Sequence, residues 1–338
     1  MNDTGLTLVT GATGFVGSAV ARALLARGYG LRLLVRAGSA HANIEGLLAE
    51  LVVGDLKDPA SLERAVAGCR YVVHVAADYR LWVPDPEAMN RANVEGTRAL
   101  LLAAQAAGAE RIVYCSSVAA LGLAGDGTVA DETTPNHIDK VIGTYKRSKY
   151  LAEQAVLALV REAGVPAVIV NPTAPVGPRD IKPTPTGKMI ADAAAGRMPA
   201  YVDTGLNVAH VDDVAEGHVL ALERGRVGEC YILGGEDMGM RALLTLVAEI
   251  AGSRPPLVRL PYAALYPVAL VSEALAQVAG VEPVVTRDIL AMARKKMFFS
   301  SAKAQRELGY ASRPARDAVA DAIAWFRAQG RVPSRVPA

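Results

Sequence analysis

Leu6-Thr-Leu-Val-Thr10-Gly11-Ala-Thr-Gly14-Phe-Val-Gly17 decides the fold. A short apolar and β-branched run leads straight into three glycines at a spacing of three, and the helical pattern Val16–Arg27 follows. The first glycine permits a tight turn, the second lets backbone approach a phosphate, and the third lets the helix pack on the strand. Unpaired N–H groups and the macrodipole at the helix start then favour an anion. Strand and helix on either side distinguish this loop from a merely structural glycine turn. Gly11, Thr13, Gly14, Phe15, Val16 and Gly17 are therefore read as a dinucleotide-binding loop.

Outward from the loop, the first half of the chain alternates apolar strand runs with Ala/Leu-rich helices. The strand candidates are Leu6–Thr10, Leu31–Val35, Leu51–Val53, Tyr71–Val75, Arg111–Cys115 and Ala167–Asn171. Helical patterns Ser61–Ala67, Asn90–Ala107 and Ser148–Glu162 fall among them. Strands that are apolar throughout, separated by helices, predict an α/β fold: a Rossmann-type doubly wound parallel sheet, with ligand at the carboxyl ends of the strands. After Pro172 the texture changes. Pro172, Pro175, Pro178, Pro183 and Pro185 read as a stiff loop, followed by two strands, Asn207–Val211 and Glu229–Leu233, and a helical tail from Leu243. Residues 1–172 are expected to form the dinucleotide domain. Residues 173–338 are expected to form mainly a smaller, mixed C-terminal substrate lobe, with some segments returning to the first domain.

Composition excludes several classes. A net charge of +2 with one short basic cluster, Arg294-Lys295-Lys296, implies no nucleic-acid partner. The three cysteines, Cys69, Cys115 and Cys230, show neither disulfide nor metal spacing, and no metal is expected. Reduced thiols and the absence of a signal-peptide pattern before Leu6 predict a cytoplasmic protein. The apolar stretch Leu260–Ser272 is broken by Pro261 and Pro267 and is too short to span a bilayer. It reads as a buried or lid helix, with peripheral membrane contact as the alternative.

Arg36 ends the second strand, where an NAD-selective site usually carries a carboxylate for the ribose 2′-hydroxyl. A guanidinium there attracts a 2′-phosphate, so NADP(H) is the preferred cofactor and NAD(H) the other. An arginine stacked on adenine and tolerant of both is the competing role. Asp55, followed by Leu56, is placed to meet the adenine amino group or to cap a helix.

The chemistry enters with Tyr145-Lys-Arg-Ser-Lys149. Residues four apart on a helix share a face. An ammonium beside a phenol stabilises the phenolate and draws its pKa below the usual ~10, so Tyr145 is expected to act as an acid or base near neutral pH.

The blocks G-A-T-G-F-V-G, G-D-L, H-V-A-A, N-V-E-G-T, Y-C-S-S and Y-K-R-S-K follow one another as in the extended short-chain dehydrogenase/reductase superfamily, which the chain resembles over nearly its whole length. The resemblance implies a catalytic triad of Ser117, Tyr145 and Lys149. Ser117 aligns with the catalytic serine, rather than Ser116, because it precedes Val118-Ala119-Ala120. It also implies that Ala76, Ala77, Tyr145 and Lys149 line the cofactor, that Asn93 supports the region of the fourth strand, and that Pro172 and Thr173 touch the nicotinamide. Homodimers are common in that superfamily.

Within the superfamily, Arg36 and the segment Asn171–Pro178 look like the dihydroflavonol-reductase-like group, which reduces ketones and aldehydes with NADPH. More narrowly, His74–Pro86, Gly177–Gly187 and Arg294–Ala304 resemble the hopanoid-associated sugar epimerase family. Nucleotide-sugar epimerases commonly carry Asn two positions after the proline equivalent to Pro172; here that residue is Ala174. The expected function is thus an NADPH-preferring carbonyl reductase acting on a sugar-derived or polyol group, small or lipid-linked, in hopanoid lipid synthesis. The alternatives are a sugar epimerase with tightly held NAD and a cofactor-sensing binding protein. Tyr79, Trp82 and Lys182 are candidate substrate contacts, with interface packing and a solvated loop as their competing roles.

Overall fold

Both faces of the central sheet are buried, which is what a parallel sheet requires. The computed structural model describes residues 4–78, 85–124, 128–279 and 286–333. Successive side chains along a strand point to opposite faces. In β1 (Leu6–Thr10), Leu8 accordingly joins one core and Val9 the other. The same alternation sends Leu33 of β2 (Gly30–Val35) to Val9's side and Leu34 to Leu8's.

The remaining elements of the first half are α1 (Phe15–Ala26), β3 (Glu50–Val53), α2 (Pro59–Val66), β4 (Tyr71–His74), α3 (Pro86–Ala106), β5 (Arg111–Cys115), α4 (Thr144–Ala163) and β6 (Ala167–Pro172). Beyond them come β7 (Ala174–Val176), α5 (Pro185–Ala194), β8 (Ala200–Val202), β9 (Gly205–His210), α6 (Val211–Arg224) and β10 (Cys230–Leu233). Seven parallel strands run in the order β3-β2-β1-β4-β5-β6-β10. Helices α1 and α6 cover one face through residues such as Val20, Leu24, Val214 and Val219. Helices α2, α3 and α4 cover the other through Leu62, Leu100, Leu101 and Val156. The strand order reverses between β1 and β4, and a ligand crevice is expected where their carboxyl ends part.

The observed strands match the expected ones to within a residue or two. One reading of the second half changes, and the segment that returns to the first domain is identified. The proline-rich stretch after Pro172 is not all loop: it contains β7, and α5 starts inside it at Pro185. A proline at the first helical position loses no hydrogen bond, and the Thr184 hydroxyl accepts from Gly187 N at 3.0 Å to cap the helix. The expected strand Glu229–Leu233 is β10, the seventh strand of the main sheet, hydrogen-bonded to β6.

The smaller lobe adds β11 (Glu236–Gly239), α7 (Met240–Ala251), β12 (Val258–Leu260), α8 (Tyr262–Ala279), α9 (Arg287–Ala293), α10 (Ala302–Leu308) and α11 (Ala315–Ala328). Strands β11, β9 and β7 form a three-stranded mixed sheet, and β12 pairs with β8. Helices α5, α7 and α11 close a separate core around Ile190, Leu243, Leu244 and Phe326. Among the described residues, no helix is long and apolar enough to cross a membrane.

Helix α1 lies against its own loop so closely that a Cβ on Gly17 would sit 2.1 Å from Gly11 O. Backbone cannot yield as a flexible side chain can, so Gly17→Ala is expected to lower the unfolding free energy by about 1–3 kcal/mol. Chemical denaturation checks this; an unchanged midpoint would contradict the packing described.

Candidate active site

The glycine loop passes close to the β4 exit. Gly11 has φ +73°, and a Cβ there would meet Ala76 N of the strand β4 exit at 2.7 Å. Gly14, at the N-cap of α1, differs: a Cβ would meet only Gly11 O, at 3.2 Å, and the residue is exposed. No side chain caps α1. Its first N–H groups are therefore available to an outside acceptor, and a glycine leaves room for one. Those features fit a dinucleotide pyrophosphate. Ala12 is buried behind the loop, while Thr13, Phe15 and Val16 are half-buried.

Arg36 is exposed directly after β2, and its carbonyl accepts from Ser39 N at 3.1 Å and Ser39 Oγ at 2.8 Å. Its guanidinium has no hydrogen-bond or ion-pair partner among the described residues. Asp55 does not cap a helix, since Asp58 holds the N-cap of α2; instead its Oδ1 accepts from Lys57 N at 2.9 Å. Leu56 packs against α3 at Gly96, where a Cβ would meet it at 2.9 Å.

A chain of buried polar groups joins the loop to α3. Thr97 Oγ1 donates to Asn93 O at 2.6 Å, so it accepts from His74 Nε2 at 3.0 Å. That leaves His74 Nδ1 bare, to accept from Thr10 Oγ1 at 2.7 Å, and Thr10 Oγ1 in turn accepts from Ala76 N at 3.1 Å. One neutral tautomer satisfies every link. Burial, aided by the nearby Lys149 charge, pushes the His74 pKa down to about 3. The amide of Asn93 then clamps the next segment: Oδ1 accepts from Asp78 N at 2.8 Å, while Nδ2 reaches Asp78 O and Ser148 Oγ, each at 3.0 Å. Ser148 Oγ donates to Tyr145 O at 2.8 Å, so the clamp extends to the start of α4.

Ser117 and Tyr145 meet at the carboxyl end of β5. The Ser117 hydroxyl accepts from Ala119 N at 3.1 Å, capping the short 3₁₀ turn Val118–Ala120, and its side chain lies near enough to the Tyr145 phenol to favour the phenolate. Lys149 is buried one turn along α4, and its Nζ donates to Cys115 O at 2.9 Å. The expected pairing of ammonium with phenol therefore takes a different form. Burial pushes the Tyr145 phenol up to about 12, opposed by the Ser117 side chain, and Lys149 is engaged with a backbone carbonyl. Burial also lowers the Lys149 pKa, against the pull of Cys115 and Glu153. Cys115 itself is a buried thiol held up at about 11, with no sign of nucleophile activation.

Three residues that the sequence reading did not single out complete the site. Glu153 is buried four residues beyond Lys149, and its Oε2 accepts from Asn171 Nδ2 at 2.6 Å. The same Nδ2 lies 3.1 Å from Ser117 O, which ties β6 to the β5 exit. The repeat Tyr145, Lys149, Glu153 at intervals of four was a visible signal. Lys146 Nζ faces Met297 Sδ at 3.7 Å, and burial with Lys295 nearby pulls its pKa down to about 8. Nothing in the sequence announced that contact, because it joins positions 151 residues apart.

Ala76 and Ala77 lie half-buried after β4, and Pro172 ends β6, with Thr173 N on Leu233 O at 3.3 Å. Lys182 is exposed in the loop before α5; Tyr79 and Trp82 lie outside the described residues. His210 is the N-cap of α6: its Nδ1 accepts from Asp212 N at 3.0 Å, and Nε2 meets Asp321 at 3.1 Å. The described residues hold no group of side chains suited to a metal ion.

Comparison with known proteins agrees with this geometry. Residues 7–234 match the family model described as the NAD dependent epimerase/dehydratase family. A protein of Synechocystis sp. provisionally named dihydroflavonol 4-reductase is 45% identical over 328 residues, covering 96% of this chain and 95% of its own. Sterol demethylase protein B of Methylococcus capsulatus is 34% identical over 329 residues, covering 96% and 99%. The crystal structure of gox2253 superimposes with a TM-score of 0.88 at 67% identity, covering 98% of this chain and all of that one (100%).

The buried histidines predict an acid-side stability slope. Unfolded, a histidine takes up a proton near ~6.5, whereas His74 resists until about 3 and buried His218 until about 4. Their contribution is complete above the unfolded value and is lost as pH falls toward the folded values. Unfolding free energy is expected to fall between those limits by at most ~1.4 kcal/mol per pH unit for each histidine. In His74→Gln the slope should shrink by one proton's worth; an unchanged slope would mean that His74 is not held neutral.

Proposed function

Because the chain belongs to the NAD dependent epimerase/dehydratase family, and is an NAD(P)-dependent oxidoreductase of that family with reductase-named relatives, we propose that it works as a carbonyl reductase. The observation that carries this reading is that relatives matched over nearly their whole length, at 45% and 33% identity, are named as a 4-reductase and a ketoreductase. Tyr145, a buried phenol raised above its ordinary pKa, fits the part of proton donor that a carbonyl reduction requires.

The roles follow from position. The Ser117 hydroxyl and the Tyr145 phenol present two donors to one substrate carbonyl oxygen and polarise it. As negative charge gathers on that oxygen, Tyr145 gives up its proton. Lys149, bonded to Cys115 O one turn along α4, is the nearby positive charge that favours the phenolate left behind. Asn171 and Glu153 hold the β5 exit so that Ser117 keeps its place. The bound nicotinamide supplies the hydride. The residues proposed to hold it are Gly11, Thr13, Gly14, Phe15, Val16 and Gly17 around the pyrophosphate, Asp55 and Leu56 toward adenine, and Ala76, Ala77, Tyr145, Lys149, Pro172 and Thr173 toward the nicotinamide. Arg36, whose guanidinium has no partner among the described residues, selects NADP(H) through its 2′-phosphate.

For substrate, we favour a ketone or aldehyde on a lipid or lipid-linked polyol. The relative named sterol demethylase protein B supports a lipid, and Ala174 in place of the epimerase asparagine weighs against a sugar nucleotide. Lys182 and the segment containing Tyr79 and Trp82 are the proposed substrate contacts.

Tyr145→Phe is expected to reduce carbonyl turnover by about 10²–10⁴-fold while leaving cofactor affinity nearly unchanged. Full activity in that variant would refute the assigned proton donor. Arg36→Asp should swing the ratio of kcat/KM for NADPH and NADH toward NADH; an unmoved ratio would remove Arg36 from cofactor selection.

A further inference from the structure

A surface helix ordinarily turns charged and polar residues outward. Helix α8 does the reverse. Tyr266, Val268, Leu270, Val271 and Leu275 are between 43% and 59% exposed. Every other exposed position from 263 to 275 is Ala or Pro. At ~100° per residue, this uncharged surface spans more than half the helix circumference. The helix's charged residue, Glu273, is half-buried and paired: its carboxylate accepts from Arg287 N and Nε, each at 2.7 Å. Leu257, 84% exposed, and Val258, 56% exposed, continue the apolar surface just before the helix.

Cations gather at the start of α8. Arg294, Lys295 and Lys296 are all exposed after α9, and the Arg294 guanidinium lies 5.6 Å from the centre of the Tyr262 ring. The Tyr262 hydroxyl lies 2.5 Å from Ala293 O and also meets Asp203 O, which fixes the start of α8 beside the basic cluster. Arg259, also exposed, pairs with Asp203 at 2.8 Å. Apolar face and cations are therefore held as one surface.

We propose that this surface docks on an anionic lipid bilayer, with the outer face of α8 seated at the headgroup–acyl boundary. Such a bilayer satisfies both halves of the surface at once: it covers the apolar side chains and neutralises Arg294, Lys295 and Lys296. A second copy of the chain would cover the apolar face, but α8 brings no free carboxylate to the basic cluster, since Glu273 is already paired with Arg287. Helix α9, which leads into the basic cluster, adjoins the start of the catalytic helix: a Cβ on Gly143, two residues before Tyr145, would lie 3.8 Å from both Asp288 and Met292. Docking through α8 and the cluster thus holds the start of α4 close to the membrane. On the reading of Tyr145 as proton donor, a carbonyl carried by a lipid then reaches it without leaving the bilayer.

Cosedimentation of the full-length protein with vesicles of phosphatidylglycerol and phosphatidylcholine tests the proposal, with phosphatidylcholine vesicles as the comparison. Binding is expected to anionic vesicles, to weaken with salt, and to fall roughly fivefold for each cation removed in the series Arg294→Gln, Lys295→Gln, Lys296→Gln. The double variant Val271→Glu/Leu275→Glu, altered only at exposed positions, should lose binding and retain reduction of a soluble carbonyl compound. Absence of vesicle binding, or binding indifferent to that double variant, overturns the proposal. A protein dimer that the double variant dissociates, with no vesicle binding, assigns the face to a second copy and overturns it equally. Vesicle binding without carbonyl reduction leaves docking intact and removes the catalytic reading; reduction without vesicle binding does the opposite.

Discussion

A buried ammonium must find oxygen acceptors or give up its proton, and Lys149 finds one in the carbonyl of Cys115. That bond pins α4 to the carboxyl end of β5, and the site is built around it. Ser117 is two residues beyond Cys115; Tyr145 is one helical turn before Lys149. Fixing the middle of this pair fixes its reactive ends. A second tie, from Asn171 to Glu153 and to Ser117 O, secures the same corner from β6. Tyr145 and Ser117 are thus held in place by backbone and amide hydrogen bonds around them.

The same economy holds at the cofactor end. Thr10, His74 and Thr97 form a directed chain that ends on the carbonyl of Asn93, and Asn93 in turn clamps Asp78 and Ser148. The glycine loop, the β4 exit and the start of α4 are therefore coupled through neutral buried groups. Each has its partner, so none carries the desolvation penalty of an orphan. His74, in an apolar strand, is part of this frame and not a ligand.

Much of the fold was legible because its signals are local. Apolar strands alternating with helices, and Gly11, Gly14 and Gly17 between a strand and a helix, specify a parallel sheet and its crevice without reference to distant residues. The second half was less legible. Pro183 and Pro185 look like loop breakers, yet Pro185 occupies the one helical position where a missing N–H costs nothing. Cys230–Leu233 carries nothing in its sequence to say that it returns to β6. In the site, Ser117, Tyr145 and Lys149 lie on recognisable motifs, and the structure brings Ser117 and Tyr145 together. The direction of the Tyr145 pKa was not legible. Spacing showed a lysine nearby but not that its ammonium is spent on Cys115 O, nor that burial dominates. Lys146 and Met297 meet only through the tertiary fold.

Whether the enzyme exchanges its cofactor each cycle is the sharpest division between reductase and epimerase. A reductase must release oxidised cofactor after every turnover, whereas an epimerase regenerates its own and can retain it. Denaturing the freshly purified protein and identifying any released dinucleotide decides the matter without a known substrate. Little or no bound dinucleotide is expected, and the empty protein should take up NADPH more tightly than NADH. Stoichiometric NAD in the released fraction would contradict it.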